Sequence, residues 1–104
     1  MKQRSSPWKG QRVGVIGAGR SGVAAARLLA RLGAHVLLSE SQKLPAKVSL
    51  PKSIEIETGR HSDRLLESAL VIRSPGVPAH VPVLQSARRA LVQEVVQKRD
   101  FDAR

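Results

Sequence analysis

Three glycines, Gly17, Gly19 and Gly22, stand in the stretch VGVIGAGRSGVAAARLL at the spacing G-x-G-x-x-G, with Ser21 just before the last of them. Glycines so spaced let a chain leave a strand sharply, bring backbone close to a phosphate, and pack the following helix tightly on the strand. The chemistry on offer is anion binding. The free amides and positive dipole end of a helix beginning near Ser21 attract a phosphate, and Ser21 adds a hydroxyl donor. Glu40 lies 18 residues beyond Gly22, at the end of a second strand, where it is placed to accept hydrogen bonds from a ribose hydroxyl or a base N–H. A second turn, Ser74-Pro75-Gly76 in RSPGVP, combines a rigid proline with a glycine that lets backbone approach a ligand. In an open α/β sheet the ligand crevice lies at the carboxyl ends of the strands, where strand order reverses, so this turn should face the glycine turn. On the glycines and Glu40 alone the first reading is a dinucleotide such as NAD.

The elements that must position these residues follow from local pattern. RVGVI, 12–16, is a short β-branched run ending at Gly17, as expected of a buried strand feeding a turn. A helix is predicted from Ser21 to Leu32. Its apolar residues Ala25, Leu28, Leu29 and Leu32 recur at helical spacing, and Arg20, Arg27 and Arg31 project from the opposite, solvated face. Gly33 ends it, and HVLLS, 35–39, is the second strand. Residues 41–53 carry Pro45 and Pro51 and read as loop. IEIET, 54–58, alternates as a half-exposed strand near a sheet edge. Ser62 is a cap for a short helix with Leu65, Leu66 and Ala69 inward; LVIR, 70–73, is the next strand. Pro82 opens another helix with Leu84 and Ala87 inward, and LVQEVV, 91–96, supplies a last strand. The fold class is therefore α/β: a Rossmann-like, open, mainly parallel sheet of about five strands with helices on both faces, in one domain. That domain spans 12–97, between a basic segment at 1–11 and a polar tail at 98–104.

Composition narrows the partners. The chain has 104 residues, room for one domain and one modest core. It lacks cysteine, which excludes thiolate zinc, iron–sulfur clusters and a cysteine nucleophile. His35, His61 and His80 lack metal-ligand spacing, so no metal is expected. Eighteen Lys and Arg against eight Asp and Glu give +10, which favours anionic partners. Trp8 and Phe101 are the only aromatics, which argues against nucleic acid, where basic residues interleave with stacking rings. The pattern fits neither a secretory signal nor a membrane span. The expectation is a cytoplasmic protein with no membrane partner.

GQRVGVIGAGRSGVAAARLLARLGAHVLLSES and ETGRHSDRLLESALVIRSPGVPAHVPVLQSARR together resemble the N-terminal domain of Mur ligases, most closely the MurD type. The resemblance covers about residues 10–89. It rests on the glycine turn with a hydroxyl residue before its third glycine, the acidic residue after the second strand, Gly59 with His61, and the SPG turn followed by a proline-led helix. It implies a uridine nucleotide in place of NAD: the UDP part of UDP-N-acetylmuramoyl-L-alanine or a related UDP-sugar. By position, Gly19, Arg20, Ser21 and Gly22 would cradle the diphosphate. Glu40, Ser41 and Gln42 would lie on the uridine side, and Ser74 and Gly76 would close the opposite wall. Glu40 stands where the MurD type usually has aspartate, and Gln42 where arginine is common. His61 matches by position and reads as a surface or capping histidine with no chemistry assigned.

The same resemblance implies that the full-length ligase activates a carboxylate with ATP and Mg2+ and joins D-glutamate to it, using central and C-terminal domains. This chain contains no G-x-x-G-K-[ST] loop and no glycine after Gly76. The expectation is a fragment or truncated form, with no cofactor of its own and no ligation unaided, whose partners include the missing ligase domains. A small NAD(P)-binding module, serving an oxidoreductase or a nucleotide sensor, is the alternative.

Overall fold

Alternation along the first strand sends Val13 and Val15 to one face of a sheet and Ile16 to the other, and the sheet is built around that strand. A computed structural model of the chain describes residues 7–44, 47–78, 81–90 and 92–96. The elements run β1 (Arg12–Ile16), α1 (Arg20–Arg31), β2 (His35–Glu40), β3 (Glu55–Thr58), a 3-10 helix (Asp63–Glu67), β4 (Leu70–Arg73), α2 (Pro82–Arg89) and β5 (Gln93–Val96). All five strands are parallel, in the order β3-β2-β1-β4-β5. The chain builds outward from β1 to β3 and then returns to add β4 and β5 on the other side. The reversal between β1 and β4 is the switch point at which an α/β sheet opens a crevice.

Each face carries its own buried cluster. Val13, Val15, Val36 and Leu38 pack under Val23, Ala26 and Leu29 of α1, with Trp8 against the same cluster. Ile16, Leu37 and Val71 meet Leu65 of the 3-10 helix and Val83 and Leu84 of α2. Full burial of each such side chain contributes about 1.5–3 kcal/mol. Gly14 belongs to the second face. A Cβ there would come within 2.6 Å of Leu65 Cδ2, so the missing side chain lets the 3-10 helix sit directly on β1.

Two expectations are corrected. Leu28 is 37% exposed, because α1 rests on the sheet through Gly22, Val23, Ala26 and Leu29, which turns Leu28 outward. Ala69 is exposed; it follows the 3-10 helix, and its N–H donates to Arg12 O as the chain enters β4. Ahead of β1, Trp8 packs on the core, and the N–H of Gly10 donates to Gly33 O. The tail at 98–104, Pro45, His80 and Leu91 lie outside the described residues.

Candidate functional site

β1 ends at Ile16, and Gly17 turns the chain with φ +101°, a conformation L side chains rarely adopt. The turn is held from both sides. Gly17 N–H donates to Ser39 O of β2 at 2.8 Å. Ser74, buried after β4, donates from its hydroxyl to Gly17 O at 3.4 Å, while its N–H donates to Ile16 O. The two turns thus meet across the switch point and form opposite walls of one crevice of about 500 Å³.

Gly17, Gly19 and Ser21 line its floor and one side; Glu40, Ser41 and His61 stand toward β2 and β3; Ser74, Gly76, Val77 and Pro78 form the far wall. The structure places all nine residues singled out from the sequence at or near this crevice. Gly19, Ser21, Glu40, Ser41, Ser74 and Gly76 come together on the crevice. Gly22 is buried beneath the turn: a Cβ there would lie 1.8 Å from Gly17 O. Arg20 is exposed on the first turn of α1, and Gln42 is exposed beyond the crevice lining. A Cβ at Gly19 or at Gly76 would meet nothing within 4 Å, so at both positions the glycine opens backbone to the crevice and not to protein.

The first turn of α1 has no side-chain cap from Gly19 and no acidic residue. Its amides and dipole therefore present positive character to the crevice, the arrangement that receives phosphates in other α/β proteins. Glu40 is drawn into the turn. Its Oε1 accepts from Ala18 N–H at 2.7 Å and its Oε2 from Gln42 N–H at 2.9 Å, so the carboxylate braces the glycine loop against the end of β2.

The far wall is braced as well. Arg73, at the end of β4, donates to Val77 O at 2.7 Å and to Glu94 of β5 at 3.0 Å; Arg88 of α2 reaches the same carboxylate. Burial raises the Glu94 pKa, but the hydrogen bonds and charges of Arg73 and Arg88 outweigh it and hold the group below the ordinary carboxylate value. These side chains stiffen the Ser74-Pro75-Gly76 turn from behind.

Sequence reasoning named His61 as a surface or capping histidine and gave it no chemistry. It is half-buried on the crevice wall, with Nδ1 2.7 Å from the Oγ of Ser39. Ser39 is fully buried and pairs in register with Glu57, to whose carboxylate its hydroxyl donates at 2.6 Å. Ser62 donates to the same carboxylate from its N–H at 2.8 Å and its hydroxyl at 2.5 Å. Burial raises the Glu57 pKa, but the hydrogen bonds from Ser39 and Ser62 and the Arg64 charge bring it below the ordinary value. Burial pushes His61 down, against the opposing pull of Glu40 and Glu57. The available signal was position: a residue just past the carboxyl end of β3 lies on the crevice side of a parallel sheet.

Among the described residues there is no cluster of three or more His, Cys, Asp or Glu side chains able to hold a metal ion. No helix among them is long and apolar enough to cross a membrane.

Residues 11–96 match the family model described as Mur ligase MurD-like, N-terminal domain. The chain is 42% identical over 85 residues to the UDP-N-acetylmuramoylalanine--D-glutamate ligase of Elusimicrobium minutum, covering 82% of this chain and 19% of that protein. It is 46% identical over 83 residues to the enzyme of the same name from Chlorobium luteolum, covering 77% of this chain and 18% of that one. The chain therefore spans about a fifth of the length of the curated relatives it matches. Among solved structures, the C-terminal domain of Shewanella denitrificans Kef in its AMP-bound form superposes with a TM-score of 0.56 at 20% identity, over 82% of this chain and 56% of that one. At that identity the likeness concerns the fold alone.

Proposed function

The chain belongs to the Mur ligase MurD-like N-terminal domain family, and from that membership we propose that its crevice binds the UDP part of UDP-N-acetylmuramoyl-L-alanine for a cytoplasmic peptidoglycan-precursor ligase that adds D-glutamate. The observation that carries this reading is the open backbone at Gly19, facing the braced Ser74-Pro75-Gly76 turn across a single crevice. The diphosphate sits on the first turn of α1, against Gly19 and Ser21, with Arg20 adding charge at the rim. Gly22 acts from beneath by allowing α1 to approach the turn. The uridine extends toward Glu40, Ser41 and Gln42, and Ser74 and Gly76 close the opposite side.

An NAD(P) module is the competing reading. In dinucleotide sites the acidic residue at the end of the second strand hydrogen-bonds a ribose. Here each oxygen of that carboxylate accepts one backbone N–H of the protein, and it is the family match that favours the uridine nucleotide. ATP and Mg2+, which supply acyl-phosphate activation in the full-length ligase, are assigned to the four fifths of the relatives that this chain does not span. Its own residues include no G-K-S or G-K-T sequence to hold ATP phosphates.

A ligand that binds only the folded state raises its melting temperature. At a concentration about 100 times Kd the gain is about 2.7 kcal/mol, on the order of 10 °C for a domain near 100 residues. Thermal unfolding with UDP-N-acetylmuramoyl-L-alanine, UDP and NADH in parallel is expected to show shifts with both uridine compounds and none with NADH. A shift with NADH alone would replace this reading with the dinucleotide one.

A further inference from the structure

The Ser39 hydroxyl has a single hydrogen, and Glu57, held ionised by its hydrogen bonds, has none to offer. At 2.6 Å the Ser39 hydrogen is therefore given to Glu57 Oε2. The 2.7 Å contact between Ser39 Oγ and His61 Nδ1 must then run the other way, with Nδ1–H donating to Ser39. This fixes the neutral tautomer of His61: Nδ1 carries the proton and Nε2 carries a lone pair. Because Nδ1 points at a fully buried serine, Nε2 is on the far edge of the ring, and among the described residues no hydrogen bond reaches it. The ring lines the crevice beside Glu40 and Ser41.

We propose that His61 is a specificity-determining residue whose Nε2 accepts a hydrogen bond from the N3–H of a uracil base and disfavours cytosine, which presents a lone pair at the same place. This rests on the uridine-nucleotide reading and adds to it the group that reads the base. His61 follows β3, and its ring reaches back to Ser39 of β2, which lies next to β1 and its glycine turn, so the ring shares one crevice with that turn. The Glu40 carboxylate on the same wall is already engaged by the N–H groups of Ala18 and Gln42. His61 adds a neutral acceptor to that wall, aimed by its bond to Ser39.

The charged groups facing the ring are Glu40 from β2 and Glu57 from β3, with Arg60, Asp63 and Arg64 along the adjoining rim. Protonation turns Nε2 from acceptor to donor. Below the ordinary histidine pKa of 6.5 the preference for uracil therefore fades as the ring takes up its proton.

Calorimetric titration of the whole chain with UDP and with CDP tests this. At neutral pH the native chain is expected to favour UDP by about tenfold, the gain from one N3–H to Nε2 hydrogen bond that CDP cannot make. His61→Leu is expected to bind UDP about tenfold more weakly, leave CDP unchanged and so lose the preference. Titration of the native chain at falling pH needs no variant, and the UDP to CDP ratio is expected to drop to one or below. Equal binding of UDP and CDP by the native chain at neutral pH, or a preference that survives in His61→Leu or on acidification, would overturn the role of His61 while leaving the uridine reading standing. Failure of the native chain to bind either nucleotide would overturn both.

Discussion

Gly19→Val is expected to retain the fold and lose the ligand. The backbone at Gly19, φ −73° and ψ −172°, is extended and open to any L residue, and an added Cβ meets no protein atom within 4 Å. Valine is a poorer N-cap than glycine, so a stability loss of about 1 kcal/mol is expected. On the reading above, the space the valine fills is where a phosphate must approach the first-turn amides of α1. Losing two charge-assisted hydrogen bonds of about 1.5 kcal/mol each weakens binding by on the order of a hundredfold or more. Circular dichroism and UDP titration on the same preparation check both halves. A valine variant that folds and binds UDP as tightly as the native chain would put the diphosphate elsewhere.

Gly22→Ala, three residues on in the same motif, is expected to do the reverse and attack the fold. Its Cβ would lie 1.8 Å from Gly17 O and 3.0 Å from Ser74 Oγ. Gly17 cannot yield easily, since its N–H is tied to Ser39 O and its carbonyl accepts from Ser74. The helix would have to lift off the turn, separating Val23, Ala26 and Leu29 from the sheet. Forcing even one methyl group into such a contact costs about 3 kcal/mol or more. For a domain near 100 residues that lowers the melting temperature by at least about 12 °C. Thermal unfolding without ligand reads the effect, and a melting temperature within about 2 °C of the native chain would show that α1 is not seated on the turn as described.

The contrast between these two glycines marks where the sequence is informative and where it stops. RVGVI and HVLLS are legible as strands because β-branched and leucine runs bounded by glycine have few other homes. The SPG turn, Pro82 as a helix start and Ser62 as a cap are legible for the same local reasons. The motif already assigns the second glycine to phosphate approach and the third to helix packing; what it leaves open is that the resemblance also put Gly22 in the diphosphate cradle, whereas a Cβ there would meet Gly17 O. The exposure of Leu28 belongs with this. A helix seated through glycine and alanine comes closer to the sheet than a leucine stripe allows, so the larger side chain turns outward. The role of His61 was hidden because its partners are remote in sequence. Ser39 and Glu57 become neighbours only through the parallel register of β2 and β3, and no periodicity within either segment announces it. Glu40 was legible in place but not in partner: its acceptors are used by Ala18 and Gln42, which the strand pattern alone does not reveal.

The central claim is that one crevice, between the turns after β1 and β4, receives the uridine diphosphate. Amide shift mapping of the isotopically labelled chain during titration with UDP tests it most directly. Saturable shifts are predicted for Gly17, Gly19, Ser21, Glu40, Ser41, His61, Ser74 and Gly76. Saturable shifts confined to the opposite ends of the strands, around Arg12, His35, Glu55 and Glu67, or no saturable shifts at all, would contradict it.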